Sequence, residues 1–326
     1  MPSKDGVPRD PWSPIAEDAT HLVLVHLGDQ FAPHMPDCAA QALDIDPHLV
    51  LWVLASRKYS QRFPEHIARR MRFVPIESLE PSAEHKRFSR HTTLDGKFLG
   101  GIWKYATERF FVIEELMRAY DLPDCFHCEN DNLLYARLSD LRPLMRRLYP
   151  GLAVTLDNDN RCIPGFMYFG CRNAAGDLVR FLDSMKSGGE NDMVTLAAFY
   201  QRSRRDQIDS LPIVPPSFNG DWTTPSGFRS SSPFIFSNHA VDFDSVFDAA
   251  ALGQYLTGID SRITDKKNTV GFINESCVFN PSMFKYEWRD VPGVGRVPYL
   301  GYEGTWYKIN NLHVHSKSLR AFRSRT

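Results

Sequence analysis

The segment Asp124-Cys-Phe-His-Cys-Glu-Asn-Asp-Asn-Leu-Leu-Tyr135 gives the clearest indication of how this chain folds. A short, mostly apolar run ends in two acids one residue apart, Glu129 and Asp131, and a second apolar run follows. This pattern predicts a buried strand that carries both carboxylates at its exposed C-terminal end. Open α/β sheets bind ligands beyond that end of their strands, so we expect a binding site here.

Two interpretations of this acid pair stay open on spacing alone. Side chains at positions i and i+2 of a strand share one face. Glu129 and Asp131 can therefore hold one divalent cation, a hard ion that takes oxygen ligands. Acids at a strand end are, however, also common as turn or helix-cap residues.

A second acid pair competes with the first for the same role. The triplet Asp157-Asn-Asp159 follows the predicted strand 151–156. We rank it lower because Asn160-Arg161 follows it directly, and a cation close to Asp159 opposes the binding of a metal ion.

The N-terminal part of the chain alternates strands and helices. Predicted strands cover 21–27, 49–54 and 72–76, and a helical stretch lies near 38–43. This alternation predicts an α/β fold of Rossmann-like type, with a mostly parallel sheet and crossover helices. Gly28 and Asp29 end the first strand, where Asp29 can accept a hydrogen bond from a base or ribose. A plain tight turn explains the pair equally well.

Further along, an amphipathic helix is predicted over 103–120. Arg109 lies on its apolar side, and a buried Arg needs an anion or several acceptors. The preceding segment, 81–101, is polar, and we expect it to be a mobile loop. Three more helices are predicted: one capped by Ser139-Asp140 and ending at Leu148, one over 177–185, and one starting at Asp192 as cap after Gly188-Gly189.

Composition narrows the class of protein. The chain has 326 residues, 43% of them hydrophobic, and a formal net charge of -1, so nothing favours nucleic acid or an anionic membrane as partner. Six scattered cysteines do not form a secreted disulfide pattern, and we expect buried free thiols in a cytoplasmic protein. Cys125-x-x-Cys128 lacks the second pair that a zinc site needs. No membrane span or secretion signal is predicted, while peripheral membrane association stays open.

The motifs occur in an order that resembles a known family. Thr107-Glu-Arg109 lies on a helix, and Glu129-Asn-Asp131, Ser139-Asp-Leu141, Pro164-Gly165, Asn191-Asp-Met193 and Asn310-Asn-Leu-His-Val-His-Ser-Lys317 follow. This order resembles the nucleotide-sugar half of GT-A-fold glycosyltransferases. It is most similar to the galactosyltransferase family that includes glycogenin-like and lipopolysaccharide enzymes, in a bacterial or viral group with Glu-Asn-Asp and His-x-His-Ser-Lys motifs. The resemblance covers about 20–200 and 305–320.

The sequence departs from this family at three places. Glu129 replaces the usual first Asp of the metal motif, Pro164 stands where the family tends to have Ala, and Met193 rather than Gln follows Asp192. These departures leave the donor and the stereochemistry of transfer open.

The resemblance implies a role for individual residues. It implies Mn²⁺ or Mg²⁺ held by Glu129, Asp131 and either His313 or His315. It implies a donor site made of Gly28, Asp29, Arg109, Asn130, Gly165 and Lys317. Asp192 and Arg109 are then the catalytic residues, with Asp192 at the reacting face of the sugar.

The implied organisation is one domain with four parts. These are a flexible N-terminus (1–20), a nucleotide-sugar-binding core (21–200), an irregular acceptor region (201–308) and a C-terminal segment that closes over metal and diphosphate (309–326). In the acceptor region we single out two acids, Asp248 and Glu275.

The expected function is transfer of a sugar from a nucleotide donor, a UDP-sugar in this family, to a glycan or lipid-linked acceptor in polysaccharide biosynthesis. Two alternatives stay open: a metal-dependent phosphohydrolase of nucleotide sugars, and a sugar-nucleotide or glycan-binding protein without activity. The replacement at Glu129 favours the last. The oligomeric state is also open.

Overall fold

A computed structural model describes residues 15–97, 100–185, 190–260 and 270–325. Its helices are α1 (Met35–Ile45), α2 (Glu65–Ala68), α3 (Ala83–His91), α4 (Ile102–Ala119), α5 (Leu138–Leu148), α6 (Arg172–Ser184), α7 (Asp192–Arg202), α8 (Ala240–Phe243) and α9 (Ala251–Thr257). Its strands are β1 (Thr20–His26), β2 (Leu49–Ala55), β3 (Met71–Pro75), β4 (Cys125–Cys128), β5 (Asn132–Leu134), β6 (Leu152–Asn158), β7 (Arg161–Phe169), β8 (Ile208–Ser210), β9 (Ser245–Val246), β10 (Lys285–Val291), β11 (Gly295–Tyr302), β12 (Thr305–Ile309) and β13 (Asn311–His313).

The central sheet has seven strands in the order β3-β2-β1-β4-β7-β6-β8. Strand β7 is antiparallel to both of its neighbours, and the other neighbouring pairs are parallel. The prediction of an α/β fold with a mostly parallel, mixed sheet flanked by helices is therefore confirmed. Strands β1, β2 and β4 are buried along almost their whole length because helices cover both faces of such a sheet.

A second sheet occupies part of the region that we predicted to be irregular. Strands β10, β11, β12 and β9 lie side by side, and tight turns with glycines at φ 76° (Gly293) and 84° (Gly304) join the first three. Strand β10 alternates more exposed and less exposed residues, the period of a half-buried strand.

Strands β5 and β13 form a separate pair that brings the C-terminal segment to the centre of the molecule. The pairing is antiparallel, with Leu312 opposite Leu133 and His313 opposite Asn132. It fixes His313 directly beside the turn that follows β4.

Two predicted helix caps are wrong. Helix α5 begins at Leu138, and the backbone N–H of Ser139 donates to Asp46 Oδ2 at 2.8 Å, so an acid distant in sequence caps this end. Helix α7 is capped by Asn191, whose side chain accepts from the backbone N–H of Val194. Asp192 is instead the first residue of α7. The predicted Gly188-Gly189 turn and residues 1–14 of the predicted flexible N-terminus (1–20) lie outside the described residues.

Other predictions agree with the structure in part or in full. Helix α6 begins at Arg172, five residues before the predicted start. All six cysteines are free thiols, and Cys125 and Cys128 are buried, as predicted. No helix in the described ranges combines the length and apolar character needed to span a membrane.

The segment 81–101 was predicted to be a mobile loop, but it contains helix α3. Ser82 caps this helix by accepting from His85, and the His85 ring is held against α4. Its Nδ1 lies 2.8 Å from Glu115 Oε1 and its Nε2 3.1 Å from Glu108 Oε1. Burial of the ring opposes protonation, but the hydrogen bonds and charges of the two glutamates outweigh it and raise the pKa of His85 to about 9. A charged imidazole therefore clamps α3 to α4.

We expect His85→Gln to reduce the free energy of unfolding by roughly 2 to 3 kcal/mol near pH 6. Because the folded-state pKa lies above the unfolded value of 6.5, this contribution is complete below pH 6.5 and is lost as pH rises through about 9. Urea unfolding of both proteins from pH 6 to 9.5 measures it. His91→Gln, an exposed histidine of the same helix, is the control. A difference that does not vary with pH would contradict a charged clamp.

Candidate active site

Two acids and a histidine meet in the turn that follows β4. The predicted placement of both acids on one strand face is wrong, because β4 ends at Cys128 and Glu129 and Asp131 lie in the turn before β5. The turn is held by two backbone hydrogen bonds, from Glu129 N to Gly165 O at 2.9 Å and from Asn132 N to Glu129 O at 3.0 Å. The acids nevertheless converge on one partner.

That partner is His313. Its Nε2 lies 3.1 Å from Asp131 Oδ2 and its Nδ1 lies 3.6 Å from Glu129 Oε2. One ligand atom from each of the three residues can be chosen so that all lie within 4.8 Å of one another. Asp131 and His313 are buried, Glu129 is partly exposed, and Lys317 Nζ hydrogen-bonds Asp131 from the open side. We call Glu129, Asp131 and His313 the cation cluster.

Electrostatics in the cluster favour paired charges. Burial opposes ionisation of Asp131, but the charges of His313 and Lys317 outweigh it and hold the pKa of this carboxyl well below its usual range. Burial likewise opposes protonation of His313, but Asp131 and Glu129 raise the pKa of its imidazole above the ordinary value. The two carboxylates therefore favour the protonated form of the imidazole.

Arg109 joins the cluster to Asp192. Its guanidinium donates to Glu129 Oε1 through NH1 and to Asp192 Oδ2 at 2.8 Å through NH2. Only 7% of Arg109 and 3% of Asp192 is exposed, so both charges depend on this contact. Burial raises the pKa of Asp192 to about 6 even though Arg109 lowers it. The structure thus brings both predicted catalytic residues to the predicted metal ligands.

The residues of the cluster fit a divalent cation. Nδ1 of His313 is buried without a hydrogen-bond partner, and it is an available ligand once deprotonated. Gly165 lies beneath the cluster, where a Cβ atom would come within 3.0 Å of both His313 Nδ1 and Asn132 Nδ2. Two carboxylates and one imidazole are ligands that divalent cations take in proteins.

His315 lies outside the cation cluster. Its Nδ1 accepts a hydrogen bond from the backbone N–H of Asp260 at 3.0 Å, and its ring centroid lies 5.9 Å from that of His313. The segment turns directly after β13, because the backbone N–H of His315 donates to His313 O and Lys317 adopts φ 64°. Of the two histidines, His313 alone contributes to the cluster.

Of the predicted donor-site residues, Gly28 and Asp29 follow β1, and Asn130 lies in the turn after β4 between Glu129 and Asp131. Gly28 follows β1 with φ 120°, and Asp29 is 96% exposed beside Lys58 at 3.6 Å. Asn130 Oδ1 lies 3.0 Å from His34 Nε2, and its amide lies 3.5 Å from His26 Nδ1.

Sequence reasoning missed His26 and His34 in this group. Each stands alone in an ordinary local context, and no spacing pattern relates either one to Asn130.

The second acid pair does not form a comparable group. Asp157 is fully buried and lies 3.1 Å from Arg161, whereas Asp159 accepts hydrogen bonds from the hydroxyls of Ser230 and Ser231. Burial raises the pKa of Asp157 to about 7. Within the described ranges, the cation cluster is the one group of three such residues with metal-binding spacing.

A cavity of about 610 Å³ is lined by residues of α3, α4, α6 and α7 and does not lie at the cluster. Thr107 of α4 and Thr195 of α7 line it, together with Phe88 and Leu182. Its volume is that of a small-ligand pocket, but none of the cluster residues lines it. The cavity and the cluster of charged residues are therefore at different places in the molecule.

Comparison with known proteins adds a weak structural likeness. No family model matches this chain, and no curated protein matches its sequence. The apo form of mouse xyloside xylosyltransferase 1 gives a TM-score of 0.44 at 10% identity over 59% of this chain and 85% of that one. Galactosyltransferase LgtC with donor and acceptor sugar analogs gives 0.39 at 12% identity over 59% and 73%. WbbM, a bifunctional glycosyltransferase, gives 0.38 at 14% identity over 62% and 40%. At these scores the likeness carries no conclusion about activity.

We expect Asp131→Asn to weaken Mn²⁺ binding about 100-fold or more, because removal of a ligand costs at least as much as removal of its supporting hydrogen bonds. Calorimetric titration with Mn²⁺ measures the dissociation constant, and circular dichroism checks the fold. Asp159→Asn, in the second acid pair, is the matched control and should bind like the wild type. Loss of binding in the control but not in Asp131→Asn would move the site to the second pair.

We expect Gly165→Ala to weaken Mn²⁺ binding about 10-fold, because the added methyl group displaces His313 or Asn132 by a few tenths of an ångström. The same titration measures it. Gly96→Ala is the control, since a Cβ atom there meets nothing within 4 Å. Wild-type affinity in a folded Gly165→Ala protein would show that the contact is not critical.

Proposed function

We propose that this protein is a metal-assisted glycosyltransferase that uses a nucleotide-diphosphate sugar, with a UDP-sugar as the expected donor. The observation that supports it is the joint placement of the cation cluster, Lys317 and the Arg109–Asp192 pair at one edge of the sheet. The cation cluster and Lys317 together suit a diphosphate. The Arg109–Asp192 pair would then lie next to a sugar joined to that diphosphate. We also propose Mn²⁺ as the ion, held by Glu129, Asp131 and His313.

The charge balance of the site favours binding of metal and donor together. Three carboxylates face three cations: Glu129, Asp131 and Asp192 against Arg109, His313 and Lys317. A divalent ion that displaces the proton of His313 would add one net positive charge to this balanced group. The diphosphate of a donor supplies the compensating negative charge.

When bound, the metal ion would neutralise charge that develops on the leaving diphosphate. Residues of the chain itself would complete this stabilisation of the reaction. Lys317 offers an ammonium, a point contact suited to phosphate, on the open side of Asp131. Arg109 keeps the carboxylate of Asp192 ionised and fixed at the reacting face. Gly28, Asp29 and Asn130 would contact the nucleoside, and Gly165 would leave room for the donor.

We assign the acceptor to region 201–308 together with its four-stranded sheet, as a glycan or a lipid-linked glycan. The C-terminal segment 309–326 would close the site through His313 and Lys317, and a cytoplasmic location fits synthesis of polysaccharide precursors.

A thermal-shift screen of nucleotide sugars with and without Mn²⁺ tests the proposal. A ligand that binds only the native state raises the melting temperature by mass action, and we expect the largest rise when Mn²⁺ and a UDP-sugar are both present. The donor so identified is then incubated with glycan acceptors. Release of sugar phosphate or inorganic phosphate without acceptor would favour a phosphohydrolase, and binding without turnover a non-catalytic binding protein.

We expect Asp192→Ala to reduce turnover at least 100-fold while donor affinity changes little, because Asp192 lies beyond the diphosphate contacts. Initial rates and calorimetric donor affinity measure the two effects. Asn191→Ala removes the true cap of α7 and should cost about 1 kcal/mol of stability without loss of rate per folded molecule. Equal losses of rate in both variants would mean that Asp192 acts only through the helix start.

A further inference from the structure

A buried acid outside the cation cluster holds the backbone of His313. Asp248 is fully inaccessible to solvent. Its Oδ2 accepts the backbone N–H groups of His313 and Gly253, each at 2.9 Å. Its Oδ1 accepts the backbone N–H of Leu252, also at 2.9 Å. A buried carboxylate with three N–H donors makes charge-assisted, strong hydrogen bonds. Asp248 therefore joins the start of α9 to strand β13.

The same acid is connected to the other side of the cluster by two buried amides. The backbone N–H of Asp248 donates to Asn311 Oδ1 at 3.2 Å, and Asn311 Nδ2 donates to Asn132 Oδ1 at 3.1 Å. Asn132 Nδ2 then donates to Gly165 O at 2.8 Å. That carbonyl also accepts the backbone N–H of Glu129. A chain of hydrogen bonds therefore links Asp248 to the first acid of the cluster.

Close packing keeps α9 against His313. A Cβ atom on Gly253 would lie 2.2 Å from His313 O and 2.6 Å from Asp248 Oδ2, so no larger residue fits without movement. Ala250 adopts φ 66°, which a residue with a Cβ occupies only when its surroundings hold it there. Contacts with the Asp248 carboxylate therefore determine the conformation of the loop between this residue and α9.

We infer that Asp248 is a positioning residue for the cation site: it sets the position of the His313 backbone and, through Asn311, its register with the turn of Glu129. Both of its carboxylate oxygens accept backbone N–H groups, so it is not itself proposed as a ligand. Its effect would reach the ion through His313 and through the turn of Glu129. The inference rests on the proposed function only in taking the cluster to bind a cation.

The test measures Mn²⁺ dissociation constants by calorimetry for wild type, His313→Ala and Asp248→Asn, with melting temperatures for each. Asp248→Asn keeps the size of the side chain but removes the charge and an acceptor oxygen. We expect its dissociation constant to rise about 10- to 100-fold, the usual effect of losing a supporting group behind a metal ligand. The visible absorption of bound Co²⁺ should change as well, because it depends on ligand geometry.

Asp46→Asn is the matched control. Asp46 is also buried and also accepts two backbone N–H groups, from Ser139 and His48, but it lies before β2, at the sheet edge opposite the cluster. It should lower the melting temperature without changing Mn²⁺ affinity or the Co²⁺ spectrum. A purely structural role for Asp248 would give the same result in both variants.

The outcomes separate the hypothesis that the cluster binds a cation from the hypothesis that Asp248 positions His313. If His313→Ala binds Mn²⁺ as well as the wild type, the cation site and the role of Asp248 are both wrong. If His313→Ala loses binding and folded Asp248→Asn does not, only the positioning role is wrong. If Asp248→Asn does not fold, Asn311→Ala is measured in its place, because this variant breaks the same chain of hydrogen bonds. Wild-type affinity in folded Asn311→Ala would then overturn the inference.

Discussion

The need to balance buried charge organises the edge of the sheet beyond β4. Two acids lie in the turn after this strand, and a third begins α7. Without partners they would remain largely protonated, since removing a carboxylate from water is costly. Arg109 of α4 and His313 and Lys317 of the C-terminal segment supply the opposite charges. Elements that are distant in sequence meet here for this reason.

Charge alone does not hold the C-terminal segment in place. Strands β5 and β13 pair over three residues only, and an isolated two-stranded pair of that length is not stable in water. Leu312 and Val314 are fully buried, so the segment gains apolar contact on the side away from the carboxylates. The amides of Asn132 and Asn311 then fix the register of the pair. The C-terminal segment therefore contributes to the cation site and to the packing of the core at the same time.

The second half of the chain supports this construction rather than forming a separate unit. Strand β12 pairs with β9, and the chain enters β13 directly after β12. Strand β9 leads to Asp248, and the Asp248 carboxylate returns to β13. Movement of the four-stranded sheet or of α9 would therefore displace His313. This connection gives a physical route between a ligand on the acceptor side and the cation site.

The sequence by itself determined the elements whose pattern is local. The apolar runs of β1, β2 and β4, the amphipathic α4 and the acids after β4 follow from period and composition, and they were sufficient for the α/β class. The motif order also predicted Glu129, Asp131 and either His313 or His315 as metal ligands. Helix α3 was missed because its residues are polar, and its stability comes from the His85 contact with α4. Only the tertiary structure decided that Asp46 caps α5, that His315 faces Asp260, and that Asp248 holds His313. Each depends on a contact between distant residues, which no local pattern encodes.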